Sequence, residues 1–265
     1  MSAAEVDAAQ LHALAVDIAR EAGELAKLRR SVGVALAATK STLADIVTEA
    51  DREVEDLIRA RVAAERPGDG FLGEESGADA GGSGVTWVVD PIDGTVNYAY
   101  GIPSYSVSIA AVRGSAQPGA WEAQAAAVCA PALGELFSAV RGGGAWQDGR
   151  ALHVTTETPA GALLATGFGY DPTTHDGDLQ TVRTVMPIAR DLRRGGSAAL
   201  DLAYVAAGRL DGYFERGLNP WDFAAGALLV EEAGGRVSRL DTASRRPMLI
   251  AAGLEVHDRL VGILG

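Results

Sequence analysis

Cysteine is nearly absent from this sequence, and its scarcity removes whole classes of function. The single cysteine, Cys129, has no partner for an internal disulfide, and zinc coordination by cysteines is excluded. It lies in an apolar run at residues 125–130, which predicts a buried free thiol. Three of the 4 histidines share no spacing typical of a metal site, and the fourth, His175, lies in a predicted loop and is assigned no role.

Long apolar runs and excess positive charge are also missing. No apolar run approaches the roughly 20 residues that a transmembrane helix requires. The N-terminal segment lacks the apolar core of a secretory signal and carries Glu5, Asp7, Asp17 and Glu21, which argues against a transit peptide. We therefore expect a cytoplasmic protein. The net charge of -12 disfavours nonspecific attraction to nucleic acid or to anionic lipid.

What is present is an ordinary globular composition. The 265 residues, 48% of them hydrophobic, suffice for one large domain or two fused lobes. Apolar residues at three- and four-residue steps predict an amphipathic helix over residues 3–30 and a second helix that stops at Pro67. Strand patterns then follow, and they indicate an antiparallel sheet with strands at residues 104–112, 121–129 and 134–140.

Strands and helices alternate in the second half, which indicates an α/β arrangement. Ser197 is the predicted N-cap of one helix, Asn219 begins another, and a last helix starts near His257. Residues 169–178 are predicted to form a loop. We predict an N-terminal antiparallel-sheet lobe with two helices and most of the candidate metal ligands, and a C-terminal α/β lobe that completes the site, divided as residues 1–155 and 156–265.

The segment at residues 86–95 combines a short apolar strand with two carboxylates. Asp90 is predicted to end the strand, Asp93 to lie in the following turn, and Thr95 to open a helix. Carboxylate oxygens in this position suit a hard divalent cation, and the backbone N–H groups after Gly94 suit phosphate. A solvated β-turn has the same composition, so the segment alone leaves both interpretations open.

Other candidate residues also have structural alternatives when taken singly. Asp51 has, with Thr48, the spacing of a helix capping box. Glu74 belongs to an acidic pair that is either solvated or a source of a third metal carboxylate. Asp222 in a first turn would interact favourably with the helix dipole. The glycines before Ser197 are compatible with close approach of a substrate and equally with a plain loop.

Taken together and in order, these motifs resemble the inositol monophosphatase family, and the resemblance extends from Lys40 to Gly235. The motifs that carry it are Thr48-Glu49-Ala50-Asp51, Gly73-Glu74-Glu75, Asp90-Pro91-Ile92-Asp93-Gly94-Thr95, Gly195-Gly196-Ser197-Ala198-Ala199, Glu215 and Trp221-Asp222. The resemblance implies an α/β fold of the layered αβαβα sandwich type, usually as a homodimer. It also implies a phosphomonoesterase that depends on two or three Mg²⁺ ions and is typically sensitive to lithium.

The same resemblance assigns metal ligands. Glu74, Asp90 and the backbone carbonyl of Ile92 would hold a first metal, and Asp90, Asp93 and Asp222 a second. Glu74 would also face a third, weaker ion. The implied reaction is in-line attack on phosphorus by a water that the ions activate, without a covalent phosphoenzyme.

Catalysis is assigned by resemblance to Asp51, Thr95 and Glu74; Thr95, hydrogen-bonded to Asp51, would orient the water and help to take its proton. The residues expected to contact the substrate are Asp93, Gly94, Thr95, Gly196, Ser197, Ala198 and Glu215. Lys40 matches a family lysine near the metal loop and is either functional or a surface cation.

Several functions stay open at this point. The expected substrate is myo-inositol 1-phosphate, favoured by Glu215 and by the Val96-Asn97-Tyr98 segment after the motif. Histidinol phosphate, fructose 1,6-bisphosphate and 3′-phosphoadenosine 5′-phosphate are alternatives on the same scaffold. A role in binding a protein or RNA assembly is an alternative of another class, although the acidic balance argues against direct RNA contact.

Overall fold

The structure is a computed structural model that describes residues 8–33, 36–39, 46–114, 120–241 and 246–265. The candidate residue Lys40 and the first residues of the predicted N-terminal helix lie outside these ranges. The helices are α1 (Ala8–Val32), α2 (Glu49–Glu65), α3 (Thr95–Tyr100), α4 (His175–Val185), α5 (Ala198–Ala206), α6 (Pro220–Glu232) and α7 (Leu254–Leu264). Short 3₁₀ turns flank α4, at Pro172–Thr174 and Met186–Ile188.

The strands of the described residues form a small sheet and two large ones. The small sheet pairs β1 (Leu36–Thr39) with β2 (Ile46–Thr48). The eight-stranded sheet contains β3 (Gly70–Gly73), β4 (Gly77–Asp79), β5 (Val85–Asp93), β6 (Ser106–Gly114), β7 (Trp121–Ala130), β8 (Glu135–Val140), β9 (Gly144–Gln147) and β10 (Arg150–Ala151), in the order β10-β9-β8-β7-β6-β5-β3-β4. The five-stranded sheet contains β11 (Ala162–Thr166), β12 (Ala189–Arg193), β13 (Gly212–Arg216), β14 (Arg236–Leu240) and β15 (Met248–Ala252), in the order β12-β11-β13-β15-β14.

Helices and sheets stack in alternating layers. Helices α1 and α2 pack on one face of the eight-stranded sheet, α5 and α6 fill the space between the two large sheets, and α4 and α7 cover the far face of the five-stranded sheet. Each of these interfaces is filled by its own cluster of buried apolar side chains. The predicted αβαβα sandwich is therefore confirmed.

Helix α1 lies close to its sheet because the facing side chains are small. Ala19 and Ala22 are fully buried on the helix, and a Cβ atom added at Gly23 would lie 2.7 Å from Sγ of Cys129 on β7. Cys129 is a buried free thiol, as predicted, and burial raises its pKa to about 11. The thiol therefore acts as a small packing group in this interface.

Several predicted elements differ from the structure. The first large sheet is antiparallel apart from one pair, because β3 runs parallel to β5. The loop predicted at residues 169–178 contains a 3₁₀ turn and the beginning of α4 at His175. The last helix begins at Leu254, three residues before His257, because Gly253 already has the extended backbone of an N-cap.

The division into lobes at residues 155 and 156 stays a prediction. The last strand of the eight-stranded sheet ends at Ala151, and the first strand of the five-stranded sheet begins at Ala162. Helices from the second half pack against both large sheets, so the two halves share one buried interface. No helix in the described part of the chain is both long and apolar enough to cross a bilayer.

Candidate active site

A break in strand pairing sets the two carboxylates of β5. Asp90 lies opposite Ser108 and Asp93 opposite Ser106 on β6, and the register shifts between the two acidic residues. A bulge of this kind bends a strand and redirects its side chains. Asp93 is therefore a strand residue and not the turn residue that the sequence predicted. Gly94 follows with φ at 92°, a conformation that favours glycine, and α3 begins directly after it, as predicted.

A cavity of about 320 Å³ brings together residues from both halves of the chain. The candidate residues that line it are Glu74, Asp90, Ile92, Asp93, Gly94, Thr95, Gly196, Ser197, Ala198, Glu215 and Asp222. Asp51 lies behind this wall and reaches it through a hydrogen bond from Thr95. Motifs that are far apart in the sequence therefore meet at one concave surface, where a substrate would be enclosed.

The N-terminus of α5 holds Asp93 in place. The Ser197 hydroxyl donates to Oδ2 of Asp93 at 2.6 Å, and the backbone N–H of Ala199 donates to the same oxygen at 2.7 Å. Ser197 also accepts a hydrogen bond from the backbone N–H of Leu200 at 3.3 Å, which confirms it as the N-cap. Desolvation outweighs these donors and raises the pKa of Asp93 to about 6.

Asp51 makes contacts that cap helix α2 and a further contact that reaches the cavity. Its Oδ2 accepts hydrogen bonds from the backbone N–H of Thr48 at 2.8 Å and from the Thr48 hydroxyl at 2.5 Å. The backbone N–H of Asp51 in turn donates to Oγ1 of Thr48 at 3.4 Å, which completes the capping box of α2. Its Oδ1 accepts from the Thr95 hydroxyl at 3.3 Å. That hydroxyl also lies 3.0 Å from the carbonyl oxygen of Ile92. Desolvation raises the pKa of Asp51 to about 6.

Negative charge accumulates at the acidic end of the cavity. Desolvation, and after it the charges of Glu74, Asp93 and Asp222, raise the pKa of Asp90 well above its ordinary value. Desolvation and then Asp93 raise the pKa of Asp222 in the same direction. Buried carboxylates that repel one another are stable as anions only beside a compensating charge. A cation at this end of the cavity would supply that charge.

The donor set fits a hard divalent cation. Glu74, Asp90, Asp93 and Asp222 offer carboxylate oxygens, which Mg²⁺ prefers to nitrogen or sulfur. Among the residues that the structure describes, no three acidic, histidine or cysteine side chains stand at the separations of a formed metal centre. Oδ2 of Asp222 accepts a hydrogen bond from the backbone N–H of Asn219 at 2.7 Å, and Oδ2 of Asp93 accepts one from the backbone N–H of Ala199 on α5. The fit of a divalent cation to this site therefore rests on the chemistry of the oxygen donors and on their convergence in one cavity.

Glu215, on β13, is a further carboxylate that lines the cavity. The Tyr213 hydroxyl donates to its carboxylate, which lies against Gly167 so closely that a Cβ atom there would overlap it. Desolvation raises the pKa of Glu215 to about 7, although Tyr213 and Arg194 act to lower it. A carboxyl group with this pKa both accepts and donates hydrogen bonds near neutral pH, which suits the hydroxyl groups of a polyol.

Several charged or aromatic residues of the cavity were missed by the sequence analysis. They include Tyr170, Arg194, Asp201 and Arg246. Arg194 and Asp201 flank the glycine-rich motif before α5, and that proximity is a signal from which they could have been predicted. Tyr170 and Arg246 belong to no motif, and they reach the cavity only through the packing of distant segments.

The layered fold and the acidic cavity suit a phosphatase, and the match to a family model shows that the protein is of this class. The family model described as "Inositol monophosphatase family" matches residues 7–260, and the chain belongs to this family.

The relatives agree with that assignment. The chain is 41% identical to an inositol-1-monophosphatase SuhB of Mycobacterium tuberculosis, over 100% of this chain and 96% of the relative. It is also 41% identical to a Nus factor SuhB of Salmonella typhimurium, over 85% of this chain and 83% of the relative. The crystal structure of the extragenic suppressor protein suhB from Bartonella henselae superposes with a TM-score of 0.83 at 38% identity, covering 95% of this chain and 96% of that one.

Proposed function

We propose that the protein hydrolyses myo-inositol 1-phosphate to myo-inositol and phosphate, with Mg²⁺ as cofactor and by direct attack of water. The observation that carries this proposal is the cavity that four carboxylates line together with Glu215; Asp90 and Asp93 are buried, and Glu74 and Asp222 are partly buried. Relatives named inositol-1-monophosphatase support the choice of substrate.

The acidic end would hold the ions. Glu74, Asp90 and the carbonyl oxygen of Ile92 are the ligands proposed for one ion, and Asp93 and Asp222 join Asp90 around another. When bound, such ions lower the pKa of a coordinated water and neutralise charge on phosphate oxygens. Two or three Mg²⁺ ions would also relieve the mutual repulsion that raises the pKa of Asp90.

Thr95 and Asp51 would orient the attacking water. The Thr95 hydroxyl carries one proton, so it donates at any moment either to Oδ1 of Asp51 or to the carbonyl of Ile92. When the Thr95 hydroxyl donates its hydrogen bond to Asp51, the hydroxyl oxygen is still free to accept a hydrogen bond from water. With a pKa of about 6, Asp51 is also suited to receive a proton through Thr95 near neutral pH. Glu74, at the same wall, is the third group proposed for catalysis.

The remaining candidate residues would bind the ester. Backbone N–H groups of Gly94 and Thr95 are proposed for the phosphate, and the hydroxyls of the polyol would contact Asp93, Glu215 and the α5 turn of Gly196, Ser197 and Ala198. A polyol analogue without those hydroxyls would leave buried polar groups unpaired and would bind less well. Lys40 stays a candidate without a structural test, because it lies outside the described residues.

A panel of phosphate monoesters assayed with and without Mg²⁺ tests the proposal. We expect inositol 1-phosphate to be hydrolysed faster than histidinol phosphate, fructose 1,6-bisphosphate or 3′-phosphoadenosine 5′-phosphate, and hydrolysis to stop in EDTA. A different best substrate would replace inositol 1-phosphate, whereas phosphate release that survives EDTA would refute the metal site. Rapid-quench labelling should trap no phosphoenzyme, because water is the proposed nucleophile.

A second candidate function is binding to a transcription assembly. It is favoured by the Salmonella typhimurium relative, which is named a Nus factor. The net charge of -12 makes a protein surface a better partner than RNA. Asp93→Asn separates the two functions, since it should abolish hydrolysis and leave such binding intact in a pulldown with transcription factors. We also propose a cytoplasmic homodimer that lithium inhibits, which sedimentation and inhibition assays would test.

A further inference from the structure

One wall of the cavity is a loop whose position depends on helix α4. Gly169 and Tyr170 both line the cavity. The backbone N–H of Gly169 donates to Oδ2 of Asp178 at 3.1 Å, and its carbonyl oxygen lies 3.0 Å from Nε2 of His175. Both backbone polar groups of Gly169 are therefore held by side chains of α4. An arginine side chain lies against the same loop, close to Gly169.

That arginine is Arg246, which lies just before β15. Its Nη1 donates to Oδ1 of Asp178 at 3.0 Å, and its Nη2 donates to the backbone carbonyl of Arg216 at 2.9 Å. The Asp178 side chain is only 5% exposed, so the ion pair is shielded from water. One guanidinium group thus joins α4 to the end of β13, the strand that carries Glu215.

Glycines make room for this contact on both sides. A Cβ atom added at Gly169 would lie 2.5 Å from Nη2 of Arg246, and one added at Gly217 would lie 2.8 Å from its Nε. The guanidinium therefore fills the gap between the loop and the segment that leads to Asp222. A planar group that donates to several fixed acceptors holds them more rigidly than a single hydrogen bond does.

Tyr170 is the side chain that this arrangement presents to the cavity. Its surface is 47% exposed, so part of the ring lies at the rim. Tyr170 lines the same cavity as Asp93 and Asp222, so its hydroxyl is a hydrogen-bond donor within that cavity. Desolvation, and after it the charges of Asp93 and Asp222, raise the pKa of its phenol. A phenol with a raised pKa stays protonated and acts as a hydrogen-bond donor in the working pH range.

We propose that Asp178 and Arg246 are positioning residues, which hold the loop so that the Tyr170 hydroxyl donates a hydrogen bond to an oxygen of the bound phosphate ester. The proposal rests on the placement of the ester in this cavity. It adds a substrate contact and a pair of residues that act through it. Asp178 does not line the cavity, so its effect should reach the substrate through the loop and through Arg246.

A double-mutant cycle tests the proposal. Tyr170→Phe removes only the hydroxyl and should lower kcat/KM by about 3- to 10-fold, mainly through KM, since one hydrogen bond is lost. Arg246→Met should lower kcat/KM by up to the same factor. In the Tyr170→Phe background, Arg246→Met should cause little further loss, because the contact through which it acts is already gone. Losses that multiply in the double variant would overturn the proposal.

Controls separate positioning from folding and from the choice of substrate. Arg183→Met removes an exposed arginine of α4 outside the cavity and should leave kcat/KM unchanged. If Arg246→Met does not fold, Asp178→Asn takes its place in the cycle, because it weakens the ion pair but keeps the shape of the side chain. Assays with the monoester that is hydrolysed fastest make the result independent of whether that ester is inositol 1-phosphate. If Asp93→Asn leaves hydrolysis intact, the ester binds elsewhere, and the proposal fails with the site.

Discussion

The hydroxyl of Ser197 donates a hydrogen bond of 2.6 Å to Oδ2 of Asp93, although the two residues lie 104 positions apart. The contact joins β5 to the N-terminus of α5, and thereby the first large sheet to the layer of helices behind it. Asn97 strengthens the junction, since its side-chain amide donates to the carbonyl oxygens of Ser104 at 2.6 Å and Gly195 at 2.9 Å. A proposed metal ligand is thus oriented by the same hydroxyl that caps a helix.

Ser197→Ala should therefore reduce both activity and stability. Loss of a buried hydrogen bond to a charged group predicts a fall in kcat/KM of roughly 10- to 100-fold. Loss of the cap predicts a decrease of about 1 kcal/mol in the free energy of unfolding. Steady-state kinetics and urea denaturation measure the two effects. Ser197→Thr retains a hydroxyl and is the matched control; a Ser197→Ala variant that loses stability but keeps full activity would contradict the role in orienting Asp93.

Variants of Thr48 and Asp51 should separate the effect of the helix cap on stability from the effect of Asp51 on catalysis. Thr48→Ala breaks the capping box and should cost about 1 kcal/mol of stability, with kcat changed only a few-fold. Asp51→Asn keeps the size of the side chain but removes the proton acceptor behind Thr95, and should lower kcat by roughly 10²- to 10⁴-fold. Stopped assays of phosphate release, together with thermal denaturation, distinguish them. Equal losses of activity in the two variants would assign Asp51 to the cap alone.

The acidic residues of the site could be predicted because each belongs to a motif with a fixed local spacing. Thr48 and Asp51 are a capping box in the structure as in the sequence, and Asp222 lies in the first turn of α6. The motif at Asp90 and Asp93 was also recognisable, although the bulge that keeps Asp93 in the strand depends on pairing with β6. Local spacing therefore predicted which residues belong to the site, and tertiary pairing decided their geometry.

The residues that could not be predicted enter the site through distant contacts. Arg246 and Asp178 lie 68 positions apart, and no spacing in the sequence relates them. The start of α4 was missed for a related reason, because its first turn is rich in polar residues and glycine that are typical of loops. Burial of Asp178 against Arg246 is a tertiary contact that compensates for this weak local preference.

Mg²⁺ should stabilise the folded protein as well as support hydrolysis. A cation that binds only the native state raises stability by about 2.7 kcal/mol at 100 times its dissociation constant. Differential scanning fluorimetry with and without Mg²⁺ should therefore show an increase in Tm. Asp222→Asn removes one proposed ligand and should abolish most of this increase together with the activity. Sodium chloride at equal ionic strength is the control, and an equal shift with it would argue against a specific site.

The stability of the metal-free protein should fall as the pH rises. Desolvation, and then the charges of Asp93 and Glu215, raise the pKa of Asp201 from 3.8 to about 8. The native state then binds more protons than the unfolded state between these values, so the free energy of unfolding decreases with increasing pH across the window. The decrease from this one group should be on the order of a few kcal/mol, measured by urea denaturation in EDTA.

Asp201→Asn is the variant that isolates this effect. The amide does not titrate, so the variant should lose less stability than the parent protein between about pH 5 and about pH 8. Asp176→Asn, an exposed position on α4, is the matched control and should follow the parent protein. Parallel curves for Asp201→Asn and the parent would show that Asp201 is ionised in the native state throughout this range.

Gly167→Ala should alter substrate preference without changing the charge of the site. A Cβ atom at this position would overlap the Glu215 carboxylate, so the carboxylate must move away from its present position. The KM for inositol 1-phosphate should rise by about 10-fold or more, because hydrogen bonds between a carboxylate and the polyol hydroxyls are lost. p-Nitrophenyl phosphate has no such hydroxyls, and its kinetics should change little. Gly177→Ala on α4, where the added Cβ has no neighbour within 4 Å, is the control. If the variant loses activity equally on both esters, Glu215 supports the fold of the cavity and does not recognise the polyol.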